Sequence, residues 1–272
     1  MKKNKKVGLA LGSGGFKGFA HVGVIRALVK NNIPIDYLAG SSIGAWVAAH
    51  YALYKDIDKL EEYTVEKRKE KMRCLFDLSV RGGFIKGSKV QELLSEWFHN
   101  ANFNDTKIPV RIVATDLIAG APVVFSKGKL SKAAQASMAV PTLFKPISYQ
   151  DRILADGGIS NPVPDDVVKK MGADIVLSVN LDHFPKNKKF DLKDVHLRKV
   201  TSRSFEIMRY YLSEYSMKDS DVIIQPNLEF IQGLWLSSWK KYFIDKYGSQ
   251  IVEMGEKATQ KQMKKIKKLL LK

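Results

Sequence analysis

A single cysteine, Cys74, rules out a disulfide within the chain, and a reducing compartment is the simpler reading. No stretch approaches the roughly 18 consecutive apolar residues that a membrane-spanning helix needs. Acidic side chains are scarce: 28 Asp and Glu stand against 45 Lys and Arg, a net charge of +17. That imbalance fixes the sign of a partner and not its identity. An anionic membrane surface, nucleic acid or acidic metabolites all suit it, and a solvated lysine-rich surface is the plain alternative. No recognised nucleic-acid module is present, so no specific nucleic-acid partner is expected. The opening MKKNKKVGLALGSGGF imitates a signal peptide, but its apolar run is too short and passes straight into glycines that read as structural. A cytosolic chain, without signal peptide or membrane span and able to sit peripherally on a membrane, is therefore expected.

With 45% hydrophobic and 27% charged residues over 272 positions, the composition is that of an ordinary globular protein with room for a sizeable core. Short apolar runs ending in glycine or aspartate alternate with helical periods. Strands are expected at 7–12, 35–40, 110–117, 122–126, 152–156, 173–181 and 221–226. Helices are expected at 18–31, 43–54, 56–72, 88–99, 131–138 and 164–171. Such alternation predicts a three-layer α/β/α sandwich around a mainly parallel sheet, with right-handed crossovers. The expected organisation is a core at 1–181 interrupted by a helical insertion at about 56–100. A C-terminal part of the same domain, 182–272, ends in the basic amphipathic stretch KATQKQMKKIKKLLLK.

Three glycine-bearing segments carry the chemistry. Gly40-Ser41-Ser42-Ile43-Gly44 has the spacing G-x-S-x-G at a strand-to-helix junction, where a nucleophilic serine needs small flanking residues and a helix N-terminus favours developing negative charge. The plain alternative is that Ser41 or Ser42 caps the helix. Gly12-Ser13-Gly14-Gly15-Phe16-Lys17-Gly18 fails as a dinucleotide fingerprint, because Lys17 stands where the third glycine belongs, and it lacks the Gly-Lys-Ser/Thr of a P-loop. A loop of unhindered backbone N–H groups remains, suited to an oxyanion, with a cation at Lys17. Asp156-Gly157-Gly158 places a carboxylate at a strand end, although alone it reads more readily as an ordinary Asp-Gly turn, and only the combination with the other two segments favours the functional reading.

Together, LGSGGFKGFAHVGVI at 11–25, GSSIGAW at 40–46, ASMAVPTLFKPI at 136–147 and DGGISNPVP at 156–164 closely resemble the bacterial patatin-like phospholipase family. The resemblance implies a serine acyl hydrolase acting on lipid acyl esters through a Ser-Asp dyad, Ser42 and Asp156, with no metal or organic cofactor. It also implies an oxyanion hole from Gly14, Gly15 and the Phe16 N–H, supported by Gly12, Lys17, Gly18, Gly40, Gly44, Gly157 and Gly158. Two positions depart from the family pattern: lysine replaces the usual arginine at 17, and serine replaces glycine at 13. Neither removes a backbone donor, so reduced or altered activity is the most these changes imply.

Two rival readings remain open. An α/β-hydrolase triad would draw its histidine from His183 or His196, which follow Asp156 in chain order, but that fold places several strands before its elbow. His21 and His50 lie on expected helices, where packing is the plainer role, and His99 ends another. The other rival is a membrane-binding or regulatory module that keeps the fold and acts through its basic surface. The tail at 257–272 would serve it, unless that helix packs on the core with its lysines in water. The aromatic-rich GLWLSSWKKYF, with Trp235 and Trp239 one helical turn apart, is a second candidate for an interface, and the helices at 56–72 and 88–99 are candidates for a lid.

Overall fold

The computed structural model describes residues 5–67, 70, 87–141, 143–182, 195–229 and 247–271. The segment GLWLSSWKKYF, Cys74, His183 and most of the expected helical insertion beyond Glu66 lie outside the described residues.

The chain opens with β1 (Val7–Leu11), a 3-10 turn (Gly15–Gly18), α1 (Phe19–Lys30), β2 (Tyr37–Ser41) and α2 (Ile43–Tyr54). A short α3 (Ile57–Glu61) runs into a π turn (Glu62–Glu66) where one helix was expected through residue 72, and α4 (Ser88–Trp97) follows. The second half contributes β3 (Val110–Asp116), β4 (Ala121–Phe125), α5 (Leu130–Ser137), β5 (Ile147–Tyr149), β6 (Arg152–Asp156), α6 (Asp165–Lys170), β7 (Ile175–Val179), α7 (Leu197–Tyr215), β8 (Val222–Ile224) and α8 (Tyr247–Leu271). The strand β5 and the helix α7 were not anticipated, and α8 starts ten residues before the basic stretch read from sequence.

The eight strands among the described residues join one sheet in the order β5-β6-β3-β2-β1-β7-β8, with β4 attached to β3. It is parallel from β3 through β2, β1 and β7 to β8 and antiparallel where β4 and β6 meet β3 and where β5 meets β6, so the sheet is mixed. Side-chain size sorts the two faces, because successive residues of a strand point to opposite sides. Val7, Leu9, Leu11, Leu38, Ile112, Leu177 and Val179 enter a large core with α1, α2, α4, α5 and α8. The alternate positions Ala10, Ala39, Val113 and Val176 meet α6 and Met217 in a thinner one. Small residues on that second face let α6 come close: a Cβ on Gly8 would lie 2.7 Å from Ala173 Cβ and 2.9 Å from Val168 Cβ.

One edge of β3 is shared end to end. Since β4 occupies the other edge from Ile112 to Asp116, both β2, paired up to Val113, and β6, paired from Ala114, must take this edge. The parallel strand β2 climbs to Ser41 opposite Val113, and the antiparallel strand β6 descends to Asp156 opposite Ala114, so their C-terminal ends abut.

The C-terminal helix packs on the core, burying Ile251, Val252, Ala258, Met263 and Ile266, while Lys264, Lys267 and Lys268 line an open groove beside Asn31 at the end of α1. Its approach to α1 depends on two glycines. A Cβ on Gly23 would lie 1.8 Å from Val252 O, and one on Gly255 would lie 2.0 Å from Ala20 O. Alanine favours an isolated helix by about 1 kcal/mol over glycine, but overpacking against backbone costs about 1–3 kcal/mol, so the clash wins. Gly23→Ala is expected to lower the free energy of unfolding in a urea titration.

Candidate active site

The elbow between β2 and α2 is tight because three chains cross there. A Cβ on Gly40 would lie 2.2 Å from Gly44 O, and one on Gly44 would lie 2.1 Å from Leu11 O. Ser42 sits at the apex with φ 55 and ψ −124, a conformation that L-residues rarely adopt and that costs about 1–3 kcal/mol. Its surroundings hold it there. The Ser42 N–H donates to Ser137 Oγ at 2.8 Å, Ser137 Oγ donates to Val113 O at 2.5 Å, and Ser42 O accepts from Ala45 N at 2.9 Å as α2 begins. Ser41 faces away and donates to Asn161 O at 2.5 Å.

Ser42 Oγ lies 2.5 Å from Asp156 Oδ2. The other carboxylate oxygen, Oδ1, accepts the Gly158 N–H at 2.7 Å, and the Asp156 carbonyl accepts Thr115 Oγ1 at 2.8 Å. Both glycines after Asp156 are needed for this turn. A side chain on Gly157 would meet Val113 O at 2.1 Å, and one on Gly158 would meet Ser13 Oγ at 2.6 Å. Ser42 and Asp156 are 6% and 3% exposed.

Burial from water is the dominant influence on Asp156 and raises its pKa from 3.8 to about 6, against the opposing pull of the Ser42 hydroxyl, the Arg209 guanidinium and the Gly158 N–H; the nearby Asp182 adds to the rise.

The loop from Gly12 to Gly18 lies across the same strand ends. Gly12 N bonds Val179 O at 3.1 Å, Ser13 N bonds Pro162 O at 2.8 Å, and the buried His21 Nε2 holds Gly12 O at 2.7 Å. Desolvation pushes His21 down to about 4, so it is neutral at pH 7 and donates through Nε2. Gly15 adopts φ 56, where glycine carries no steric penalty. The N–H groups of Gly14 and Gly15 have no acceptor among the described residues. Phe16 and Gly18 complete the 3-10 turn, and Gly18 abuts Ile43. The Lys17 ammonium reaches Leu181 O at 3.4 Å, whereas the cation whose field acts on Asp156 is Arg209.

Every residue expected from sequence to serve the site therefore lies at this junction of β1, β2, β6 and β7. Sequence reasoning assigned no role to Ser137, Thr115, Asp182 or Arg209. Ser137 falls within the block ASMAVP, while the others had no local signal. His196 caps α7, its Nδ1 accepting from Lys199 N at 3.3 Å. His50 is buried among Trp46, Tyr54, Tyr63 and Phe98. No histidine among the described residues is bonded to Ser42 or Asp156.

An ionised carboxylate held in this cavity should weaken the fold. Below about pH 3.8 both folded and unfolded chains carry a protonated Asp156. Between about pH 3.8 and about 6 the unfolded chain ionises while the folded state resists, so stability is lost across this window and stays lost above it. The difference corresponds to about 3 kcal/mol. Asp156→Asn is expected to gain on the wild type by roughly that amount between pH 4 and pH 7, as read from denaturant unfolding at each pH.

The family model for patatin-like phospholipases matches residues 9–168. An uncharacterised NTE family protein of Mycobacterium bovis is 35% identical over 178 residues, 65% of this chain and 49% of that protein. Patatin-like phospholipase domain-containing protein 7 of Rattus norvegicus is 30% identical over 181 residues, 64% of this chain and 13% of the relative. Lysophospholipase NTE1 of Debaryomyces hansenii is 33% identical over 184 residues, 65% of this chain and 12% of the relative. The chain thus corresponds to half or less of these relatives. Among solved structures, VipD from Legionella pneumophila has the same fold over 98% of this chain and 67% of its own, with a TM-score of 0.52 and 13% identity.

Proposed function

Since the chain belongs to the patatin-like phospholipase family, we propose that it is a serine hydrolase of lipid acyl esters in which Ser42 is the nucleophile and Asp156 the base. The observation that carries this reading is the 2.5 Å contact between Ser42 Oγ and Asp156 Oδ2 at a strained strand-to-helix elbow.

Asp156 accepts the Ser42 proton as Oγ attacks the ester carbonyl. Negative charge develops on the former carbonyl oxygen, and the N–H groups of Gly14 and Gly15, with that of Phe16, stabilise it where water is excluded. The C–O bond to the alcohol then breaks, and the alcohol takes the proton from Asp156, leaving an acyl-serine. A water molecule gives its proton to Asp156 and attacks the acyl carbon. The fatty acid leaves as Ser42 recovers a proton. No metal or organic cofactor enters any of these steps. A carboxylate of ordinary acidity is a weak base for an alcohol, and the same desolvation that raises Asp156 to about 6 brings it closer to the working pH.

Lysophospholipid is the proposed substrate class, in keeping with the name of the yeast relative, Lysophospholipase NTE1. Approach to a lipid surface is favoured by the net charge of +17 and by apolar residues of α7 that face water, Leu197, Phe205, Met208, Tyr211 and Tyr215. No helix among the described residues is long and apolar enough to cross a membrane.

Hydrolysis of p-nitrophenyl esters and of lysophosphatidylcholine tests the proposal. Ser42→Ala and Asp156→Asn, each confirmed as folded, are expected to lower kcat by about 10⁴-fold or more. Ester turnover that survives Ser42→Ala would refute the assignment. Activity requires ionised Asp156, so kcat/KM is expected to climb with pH through about 6 and level off above it. A profile flat from pH 4.5 to 8 would remove Asp156 as the base.

A further inference from the structure

Arg209 is half-buried, its side chain 34% exposed, and charge-assisted hydrogen bonds fix its guanidinium. Arg209, carried by α7, has its Nη2 2.9 Å from both carboxylate oxygens of Asp182 and 2.9 Å from Ser13 Oγ. Asp182 is fixed in turn by Ser213 Oγ at 2.6 Å and by Arg209 Nε at 3.3 Å. Because the guanidinium is a rigid planar fork, one side fixed on a carboxylate determines where its remaining donors point. The second N–H of Nη2 points at Ser13, which is 1% exposed. Ser13 is itself tied at its N–H to Pro162 O, and its Oγ occupies the space beside Gly158 that a Cβ would need. It immediately precedes Gly14 and Gly15, whose N–H groups face no described acceptor.

We propose that Arg209 is a positioning residue of the hydrolytic site: anchored on Asp182 and donating to Ser13 Oγ, it fixes the Gly14–Gly15 turn against the Asp156–Gly158 turn. The proposal rests on the hydrolase reading above. Without the guanidinium, Ser13 keeps only its backbone tether, and the two turns that must present oxyanion donors and base at one carbonyl lose their common reference. Errors of this kind are felt mainly in the transition state, so kcat falls while KM stays.

A charge effect accompanies the mechanical one. The groups acting on Asp156 are the Ser42 hydroxyl, the Gly158 N–H, Arg209, and Asp182. Arg209 favours the ionised base and Asp182 opposes it. Removing Arg209 therefore deletes a cation and exposes an anion, and both changes move Asp156 upward.

The experiment measures kcat and KM against pH for full-length wild type, Ser42→Ala, Arg209→Gln, Arg209→Lys and Ser13→Ala with a p-nitrophenyl ester, with a thermal melt of each. Arg209→Gln is expected to lower plateau kcat about tenfold with KM within about twofold, as loss of a charge-assisted hydrogen bond implies, and to move the acid limb up by about one pH unit. Arg209→Lys keeps the charge without the fork, so it is expected to restore the limb and not the plateau. Ser13→Ala leaves the Arg209–Asp182 pair in place and is expected to lower kcat about fivefold with the limb unmoved. A folded Arg209→Gln enzyme with the wild-type kcat and acid limb overturns the proposal. Where Arg209→Gln fails to melt cooperatively, Ser13→Ala decides, and wild-type kcat in that variant overturns it equally. Wild-type turnover that does not depend on Ser42 sinks the hydrolase reading first, and this inference with it.

Discussion

Along one edge of β3, the parallel strand β2 gives way to the antiparallel strand β6 between Val113 and Ala114. Two strands running toward each other on one edge cannot both continue, so each must leave the sheet where they meet. The chain of β2 escapes by the sharp elbow at Ser42, and that of β6 by the turn at Gly157 and Gly158. The hydroxyl and the carboxylate meet as the residues on which these two exits begin. Positive φ at Ser42, the crowding that forbids side chains at Gly40, Gly44 and Gly157, and the desolvation of Asp156 all follow from this collision.

Desolvation acts in two directions here. It makes Asp156 a stronger base and it makes the ionised cavity costly, so the chemistry and the fold draw on the same raised pKa with opposite preferences. The rest of the molecule offsets that cost with apolar layers on both faces of the sheet and with α8 closed against α1. Sites that are strained and dry are where a sequence departs from what stability alone would select.

The parts of this arrangement legible in the sequence were those with a local cause. A glycine on either side of Ser42, two after Asp156 and several in the first loop each reflect a steric demand within five or six residues, which a linear reading captures. The short apolar runs of β1, β2, β3 and β7, each buried on both faces, were legible for the same reason. Ser137, Thr115, Asp182 and Arg209 act across separations of tens to nearly two hundred residues and carry no neighbouring pattern, so nothing along the chain marks them. The three-residue β5 is too short for a period to show, and with it the antiparallel corner of the sheet was invisible. Ser13 shows how a departure can be noticed and misjudged. It stood out against the glycine expected from the family resemblance, but its bond to Arg209 required the fold. Arg209 and Asp182 also lie beyond the matched span of 9–168, so the hydrogen bonds that hold Ser13 reach past the segment by which the family is recognised.

The hairpin joining β5 to β6 turns through Gln150 and Asp151 alone, with Tyr149 paired to Arg152, Ser148 to Ile153 and Ile147 to Leu154. The turn sets the register of β5, whereas that of β6, where a slip of one residue would send each side chain to the opposite face, is set on its other edge by Leu154, Ala155 and Asp156 against β3. Insertions in surface turns are ordinarily among the mildest changes a lineage can accumulate. An insertion here is therefore absorbed by the three-residue edge strand β5 and leaves the carboxylate opposite the serine, so relatives with a longer turn at this point can keep the dyad geometry unchanged.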